Sequence, residues 1–587
     1  MCRSRRRQLA IGLAAAALAA CSESAGPGGT AALAFEPAVI QLDTLRQSGA
    51  VIRNVGTLPV GPVTMVAGAV RDAGGQPVVG PALTVAPGDI ATLNPGQERA
   101  LDLAIVGADA LPAGQYRVQL DAHVQAAVFA SIALDFRIAA LPPGAPGNTV
   151  AIVTGLTDVR QGDVASYSAE VRDSTGALVA GAPMQWSLAP NTAGLLLSDG
   201  RMVGYGAGVA QVIARSGSAA DTVTVTIADR SLSGSLSPVG RGAVSERFTS
   251  DLWVHNGVAY TGTWGGRTRN DSTRFGNALF AWDVSDPAMP VLTDSVIVDA
   301  RVVNDVKIRS DGSLAVITHE SASDAQNGVT LLDLTDPLHP TVITRFTSTL
   351  ETGVHNAWIE GDYVYLVVDG SSPTSGLRVL DISDPQNPQI VAGFYAGFSF
   401  LHDVYVRDGL AFLSHWNAGL VILDVGNGIA GGTPANPVEV SRRPTAGGQT
   451  HNAWYWPDAG YVFVGEEDFG TPGIMHVVDV QDLRTPREVA TFRVPGTTPH
   501  NFWLDESNGV LYLAWYDNGV RVLDVTGELL GELDRQGREI VGLQYGAGVG
   551  CPSSSGTGTC AWAPQLEGDL LYVSDMNTGL WVFRPSF

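Results

Sequence analysis

The chain has 587 residues, 45% of them hydrophobic and 16% charged, with 69 glycines and 33 prolines. Such a length suggests three or four domains, and the Gly/Pro content argues against a helical protein and for many short strands joined by turns. A formal charge of −23 repels phosphate backbones and anionic lipid surfaces, so nucleic acid is not an expected partner. A single lysine, Lys307, sets aside Schiff-base and P-loop chemistry.

Residues 1–20 read as a secretory signal. Arg3, Arg5, Arg6 and Arg7 precede an apolar run, Leu9 to Ala17, that is too short to span a bilayer. Loss of these four arginines takes the net charge from −23 to −27. Leu18-Ala19-Ala20-Cys21 resembles the lipobox of bacterial lipoproteins. That resemblance implies cleavage before Cys21, acylation of its sulfur and anchoring in the cell envelope. Ser22 after the cysteine implies the outer membrane of a Gram-negative cell. Several acyl chains anchor stably where one is marginal. The alternative is a plain secretory signal with a chance cysteine. Residues 21–32 read as a flexible tether. With Cys2 lost and Cys21 acylated, Cys551 and Cys560 remain, and in an oxidising envelope they are expected to form a disulfide across a short Gly/Ser loop.

Residues 33–140 alternate strands and turn clusters, as in VIRNVGTLPVGPVTMV and LPAGQYRVQLDAHV, which suits a β-sandwich. Its N-x-G-x-x-x-V-G-P opening resembles adhesion-type Ig-like modules of bacterial surface proteins. A Pro/Gly hinge, LPPGAPGN, follows at 141–148. Residues 148–229 carry the strands YSAEVRD, a V-x-G-x-x-x-x-W-S segment with Trp186 as the expected core aromatic, and a closing VTVT. This pattern resembles the bacterial Ig-like (BIG2 or invasin-like) family. Neither module shows convergent polar groups, and both read as stalks.

Residues 231–587 repeat themselves. One element is a strand ending in aspartate before a proline turn: FAWDVSDPAMP, TLLDLTDPLHP and RVLDISDPQNP, with looser copies later. Its aspartates are Asp283, Asp333, Asp381, Asp424, Asp479 and Asp524. Their expected role is structural, Asp capping backbone N–H groups and Pro fixing a turn. The element resembles the LVIVD repeat family, which implies a β-propeller on a bacterial surface protein. Seven hairpin-led units begin near Ser250, Asn304, His355, His402, His451, His500 and Cys560. Six or eight units are the alternatives. The seventh runs out of chain, and residues 231–244 are expected to supply its outer strand and close the ring. The expected fold is therefore all-β: two Ig-like β-sandwich modules and a seven-bladed β-propeller.

Strand-one starts and strand-two ends of such blades share one rim, which nominates candidate residues. His355, His402, His451 and His500 recur at one position, as in VHNAW, LHDVY, THNAW and PHNFW. Neutral imidazoles ligate Zn, Fe, Cu or Ni, so these four are candidate ligands of a divalent transition metal. His319, His415, Glu466, Trp264, Trp416, Trp515, Tyr516 and Asp575 are the candidate ligand-binding rim. Four histidines on a seven-bladed propeller resemble the iron site of carotenoid oxygenases, but that family's motifs are missing and consecutive blades would crowd one side. Two other readings stay open. Each histidine could be a latch to the neighbouring blade, or a metal-free ligand contact. Trp253, Trp358, Trp454 and Trp503 share a position three residues on and are expected to pack between blades. No G-x-S-x-G, H-E-x-x-H or EF-hand loop is present. The functional expectation is a monomeric envelope protein whose rim binds a protein, glycan or small ligand; the alternative is a metal-dependent hydrolase or oxidase.

Overall fold

The computed structural model describes residues 30–587 apart from 37–39, 42–46, 79–80, 87, 107–113, 126, 139–147, 266–275, 371–374, 398–399, 446, 470–472, 547–550 and 552–557. The signal, Cys21, most of the tether and nearly all of the hinge lie outside the described residues. The chain is all-β, with two 3-10 turns, Asn191–Ala193 and Leu533–Arg535, as the helical elements among the described residues.

In the first region a sheet of Leu33–Glu36, Gln47–Asn54, Glu98–Val106 and Ala82–Ala86 packs against one built on the hairpin Gly114–Val124 and Ala127–Ile138. Gly114–Val124 alternates buried and exposed residues, the period-two pattern that gives a strand one apolar face. Val118 and Leu120 on that face meet Ile52, Leu103 and Leu134 in a closed core. The second region centres on a four-stranded sheet of Asp158–Arg160, Ala219–Ala228, Gly208–Ser216 and Gln185–Ala189. Trp186 is half-buried against Tyr167, which is the more deeply buried ring of the two.

The third region contains seven sheets in succession, antiparallel apart from one added parallel pair, Ala490–Thr491 with Gly531–Glu532, on the fifth. Their first strands are Phe248–His255, Val306–Ile308, Val354–Glu360, Asp403–Arg407, Thr450–Trp456, Phe502–Asp505 and Ala561–Glu567. Each first strand packs against that of the next sheet, and the seventh packs against the first. The seventh sheet takes its fourth strand from far upstream: Ser235–Ala243 pairs with Gly579–Ser586, Ser235 opposite Ser586. The repeat aspartates accept backbone N–H groups two residues on, for example Ser285 to Asp283 at 2.9 Å and Thr335 to Asp333 at 2.7 Å. Asp424 accepts four, from Gly426, Gly428, Ala430 and Gly432. Cys551 and Cys560 form a disulfide.

Two buried ionic contacts join the regions. Arg230 sits between Asp524 (2.5 Å) and Asp163 (2.8 Å), while Arg538 donates to the Gly162 carbonyl at 2.5 Å, fixing the second region to the sixth sheet. Arg99 of the first region reaches Asp468 at 2.5 Å, with both side chains largely buried. The first region, expected as a stalk, therefore lies against the mouth of the fifth sheet.

Candidate metal centre

The seven first strands begin alike. In four of them the ladder skips register where the recurring residue stands: between Thr249 and Leu252, Val354 and Ala357, Thr450 and Asn452, and Ala561 and Ala563. A bulge leaves its extra residue unpaired and re-aims its side chain. Ser250, His355, His451 and Trp562 occupy those bulges, so Trp562, not Cys560, is the seventh sheet's counterpart of the histidines. The backbone two residues before three of the histidines is left-handed, at Gly353 (φ 117°), Phe400 (φ 64°) and Gln449 (φ 51°). For Phe400 and Gln449 that conformation is strained.

The four imidazoles form an arc. Ring centroids are 4.5 Å apart for His355–His402, 4.2 Å for His402–His451 and 4.2 Å for His451–His500, and Trp562 continues the stack at 4.0 Å from His500. The latch expectation holds for one nitrogen of two rings. His402 Nδ1 donates to the His451 carbonyl at 3.0 Å, and His500 Nδ1 to the Trp562 carbonyl at 2.7 Å. A carbonyl only accepts, so Nδ1 carries the proton and a neutral ring keeps its lone pair on Nε2. His355 Nδ1 meets Glu320 Oε1 at 2.7 Å, the carboxylate–histidine pairing that orients metal ligands. His451 is 1% exposed and neither of its ring nitrogens has a hydrogen-bond partner.

The Nε2 atoms converge. His355 Nε2 and His402 Nε2 are 3.1 Å apart. Glu467 Oε2 lies 4.0 Å from His402 Nε2 and 3.9 Å from His451 Nε2. Donors on one tetrahedral ion with bonds of about 2.0–2.1 Å stand roughly 3.3–3.4 Å apart; the first pair is close to that spacing, and Glu467 stands farther off. His402, His451 and Glu467 form a group able to hold an ion, their donor atoms all within 4.8 Å of one another. Burial holds His402 and His451 well below the usual imidazole range, and His500 down to about 3, which keeps the three rings in the neutral, ligating form. Burial also pushes Glu467 up to about 7. Burial lowers His355 too, but the Glu320 carboxylate outweighs it and holds His355 at about 9, so without an ion its Nε2–H points at His402. Tyr516, itself left-handed (φ 40°), donates its hydroxyl to Glu467 and packs on His500 at 5.0 Å.

The remaining candidates divide by one residue of register. His319, His415, Glu466, Trp515 and Asp575 end the second strands or immediately follow them, and their side chains turn into the sheets. His319 is fully buried beside Thr330 Oγ1 (3.2 Å), and burial lowers both it and the buried His415 to about 4. Glu466 is taken up by His476, 2.9 Å away, which also meets Glu488 at 2.7 Å. Trp515 is wholly buried, with Nε1 on the Thr497 carbonyl. Asp575 caps the turn through Asn577 and Thr578. None of these five is a rim residue. After four of them the next residue along, Glu320, Trp416, Glu467 or Tyr516, lies beside the imidazole arc. Glu467 and Glu320 are thus functional residues missing from the candidate set, where Glu466 stood in their place. Trp264 is half-buried, with Nε1 bonded to Asn304 Oδ1 at 2.7 Å. Trp416 stacks on His402 at 5.2 Å.

Deeper along the same strands, the four repeat tryptophans pack on the cores between neighbouring sheets, as expected. They close a ring on each other: Trp253–Trp358 5.8 Å, Trp358–Trp454 6.3 Å, Trp454–Trp503 5.0 Å and Trp503–Trp253 6.1 Å. A cavity of about 50 Å³ lies among them, with Lys307 and Tyr405 at the equivalent positions of their own strands.

Comparison with known proteins returns one family. Residues 353–395 and 401–445 match the LVIVD repeat. These are the third and fourth sheets, which carry His355 and His402. No curated protein matches the chain. Among solved structures it is similar to the crystal structure of the computationally designed Ika8 protein, at 9% identity over 60% of this chain and 100% of that one, with a TM-score of 0.38. A likeness this distant carries no weight for fold or function.

Proposed function

We propose that the third region is a seven-bladed β-propeller with a transition-metal centre at the mouth of its channel, and that the chain is a metal-dependent enzyme of the bacterial envelope, anchored through an acylated Cys21. The circle of first strands and the seventh sheet's borrowed strand support the propeller reading. The two-sheet first region and the second region's strand order support the Ig-like reading of both modules. Three imidazoles and one carboxylate suit Zn, Fe or Cu. An ion held by His355, His402, His451 and Glu467 would act as a Lewis acid and lower the pKa of a bound water to about 7.

His451 carries this reading. A buried imidazole with no hydrogen-bond partner costs about 1–3 kcal/mol of lost solvation, and here it stands 3.9 Å from a carboxylate oxygen. Elemental analysis of the purified full-length protein tests it. Stoichiometric Zn, Fe or Cu, lost in both His402→Ala and His451→Ala, is the expected result. No bound metal as purified or after reconstitution with each of the three ions overturns it. The anchor is tested separately, since Cys21→Ser is expected to move the chain from the membrane to the soluble fraction.

A further inference from the structure

The docked first region leaves a cleft of about 990 Å³ between itself and the mouth of the third to fifth sheets. Its floor continues into the metal site. Phe400 and Trp416 line the cleft and pack on His402 from that side, with ring centroids 5.5 and 5.2 Å away. Gln449 and Asp468, also lining it, lie two residues before His451 and one after Glu467. Gly448, in the left-handed region at φ +66°, marks the close approach: a Cβ there would stand 3.2 Å from both the Arg99 side chain and Asn417 Oδ1.

The lining is suited to an uncharged, hydroxyl-rich ligand. Its two arginines are already paired, Arg53 with Glu98 at 2.7 Å and Arg99 with Asp468 at 2.5 Å, so neither is left over for an anion. Asp89 remains as an exposed acceptor that repels anions. Other lining groups include the rings of Tyr395, Phe400 and Trp416 and the amides of Asn94, Gln97 and Asn417. Aromatic faces stack on the apolar faces of sugar rings, while amide and carboxylate groups hydrogen-bond the hydroxyls at their edges. A cleft of this volume falls at the upper end of the usual range for ligand sites, about 300–1,000 Å³.

We infer that this cleft binds a neutral oligosaccharide, stacked on Trp416, with one wall supplied by the first region. The binding does not require the ion, although Trp416 on His402 places the sugar's end beside the metal centre. The first region is then part of the ligand site, which its Arg99–Asp468 contact holds in place.

Calorimetric titration of the full-length protein in EDTA tests this independently of the metal. Maltohexaose, cellohexaose and chitohexaose are the neutral probes, with hexagalacturonate as the charged control. Saturable binding of at least one neutral hexasaccharide is expected, weakened about tenfold or more in Trp416→Ala. Asp89→Ala, an exposed change on the opposite wall, is expected to weaken the same sugar, which guards against a misfolded tryptophan variant. The inference is overturned if no neutral sugar binds, if hexagalacturonate alone binds, or if both variants bind as the wild type does. Metal content measured on the same preparations fails or succeeds separately.

Discussion

Two polar clusters lie on the same inner strands, one to three residues apart in the repeat, and they are finished differently. The deeper one is closed. Lys307 donates to Asp251 at 2.6 Å and to Asp305, beneath the ring of Trp253, and Asp305 also accepts the Ala357 N–H at 2.8 Å. Burial raises Asp251, but the neighbouring ammonium outweighs it and holds that carboxyl below its usual range, while burial drives Asp305 well above its own. One ammonium, one carboxylate and one shared proton therefore cancel. The outer cluster is open: three rings are neutral, His451 has no partner, and Glu467 stops about 4 Å short of both His402 and His451. Buried polar groups are nearly always satisfied in native proteins. Lys307, Asp251 and Asp305 satisfy one another, although Asn452 Oδ1, Asn501 Oδ1 and the Trp454 indole N–H beside them have no partner; the outer set differs in that both nitrogens of one ring, His451, are left without a partner next to a carboxylate.

Opening the closed cluster should cost most. Lys307→Met leaves a buried carboxylate without its cation and is expected to lose about 3–5 kcal/mol of stability by urea melting, with metal content unchanged if the protein is folded. The Glu466–His476–Glu488 triad is a second closed cluster, and its test is pH. Burial lowers His476, but the two carboxylates outweigh it and hold it at about 10, above its ordinary 6.5. Its contribution is thus complete below pH 6.5 and disappears as pH rises through about 10. Urea melts across that window should show the wild type losing stability, and His476→Gln losing less of it.

Loosening the open cluster costs affinity more than stability. Tyr516→Phe removes the hydroxyl that holds Glu467 and is expected to weaken Zn²⁺ affinity about 10–100-fold, read by competition with a chelating dye. The smallest stability effect belongs to His451→Phe. A ring of similar size with no polar atoms to satisfy should change stability by less than about 1.5 kcal/mol while abolishing metal binding. A loss as large as that of Lys307→Met would erase the distinction between the clusters.

The repeat made the histidines legible, because four of them stand at one position of copied units. The aspartate turns were legible for the same reason, with Asp and the N–H it accepts two residues apart in sequence. The choice between Glu466 and Glu467 was not. Adjacent strand residues face opposite ways, so an error of one in the strand's last residue exchanges interior for rim. In the fifth sheet the second strand runs beside the bulge at His451, and spacing alone does not place that bulge. Nor could spacing reveal the partnerless state of His451, or the Arg99–Asp468 contact across 369 residues of chain. Such facts depend on what packs against a side chain. The tryptophans were legible as packing between sheets, but a shared position does not say that they also meet one another in a ring.

The pairing of Ser235–Ala243 with Gly579–Ser586 also sets an order of events. The strand that completes the seventh sheet is made before all seven first strands and waits for its partner until Gly579–Ser586 is made. The third to sixth sheets, which hold every imidazole of the arc, are complete before then. Closure is the longest-range contact in the ring and the slowest to find. Until it forms, the seventh sheet has no outer strand and Ser235–Ala243 no neighbour, so newly made chains are most open to edge-to-edge association in that interval.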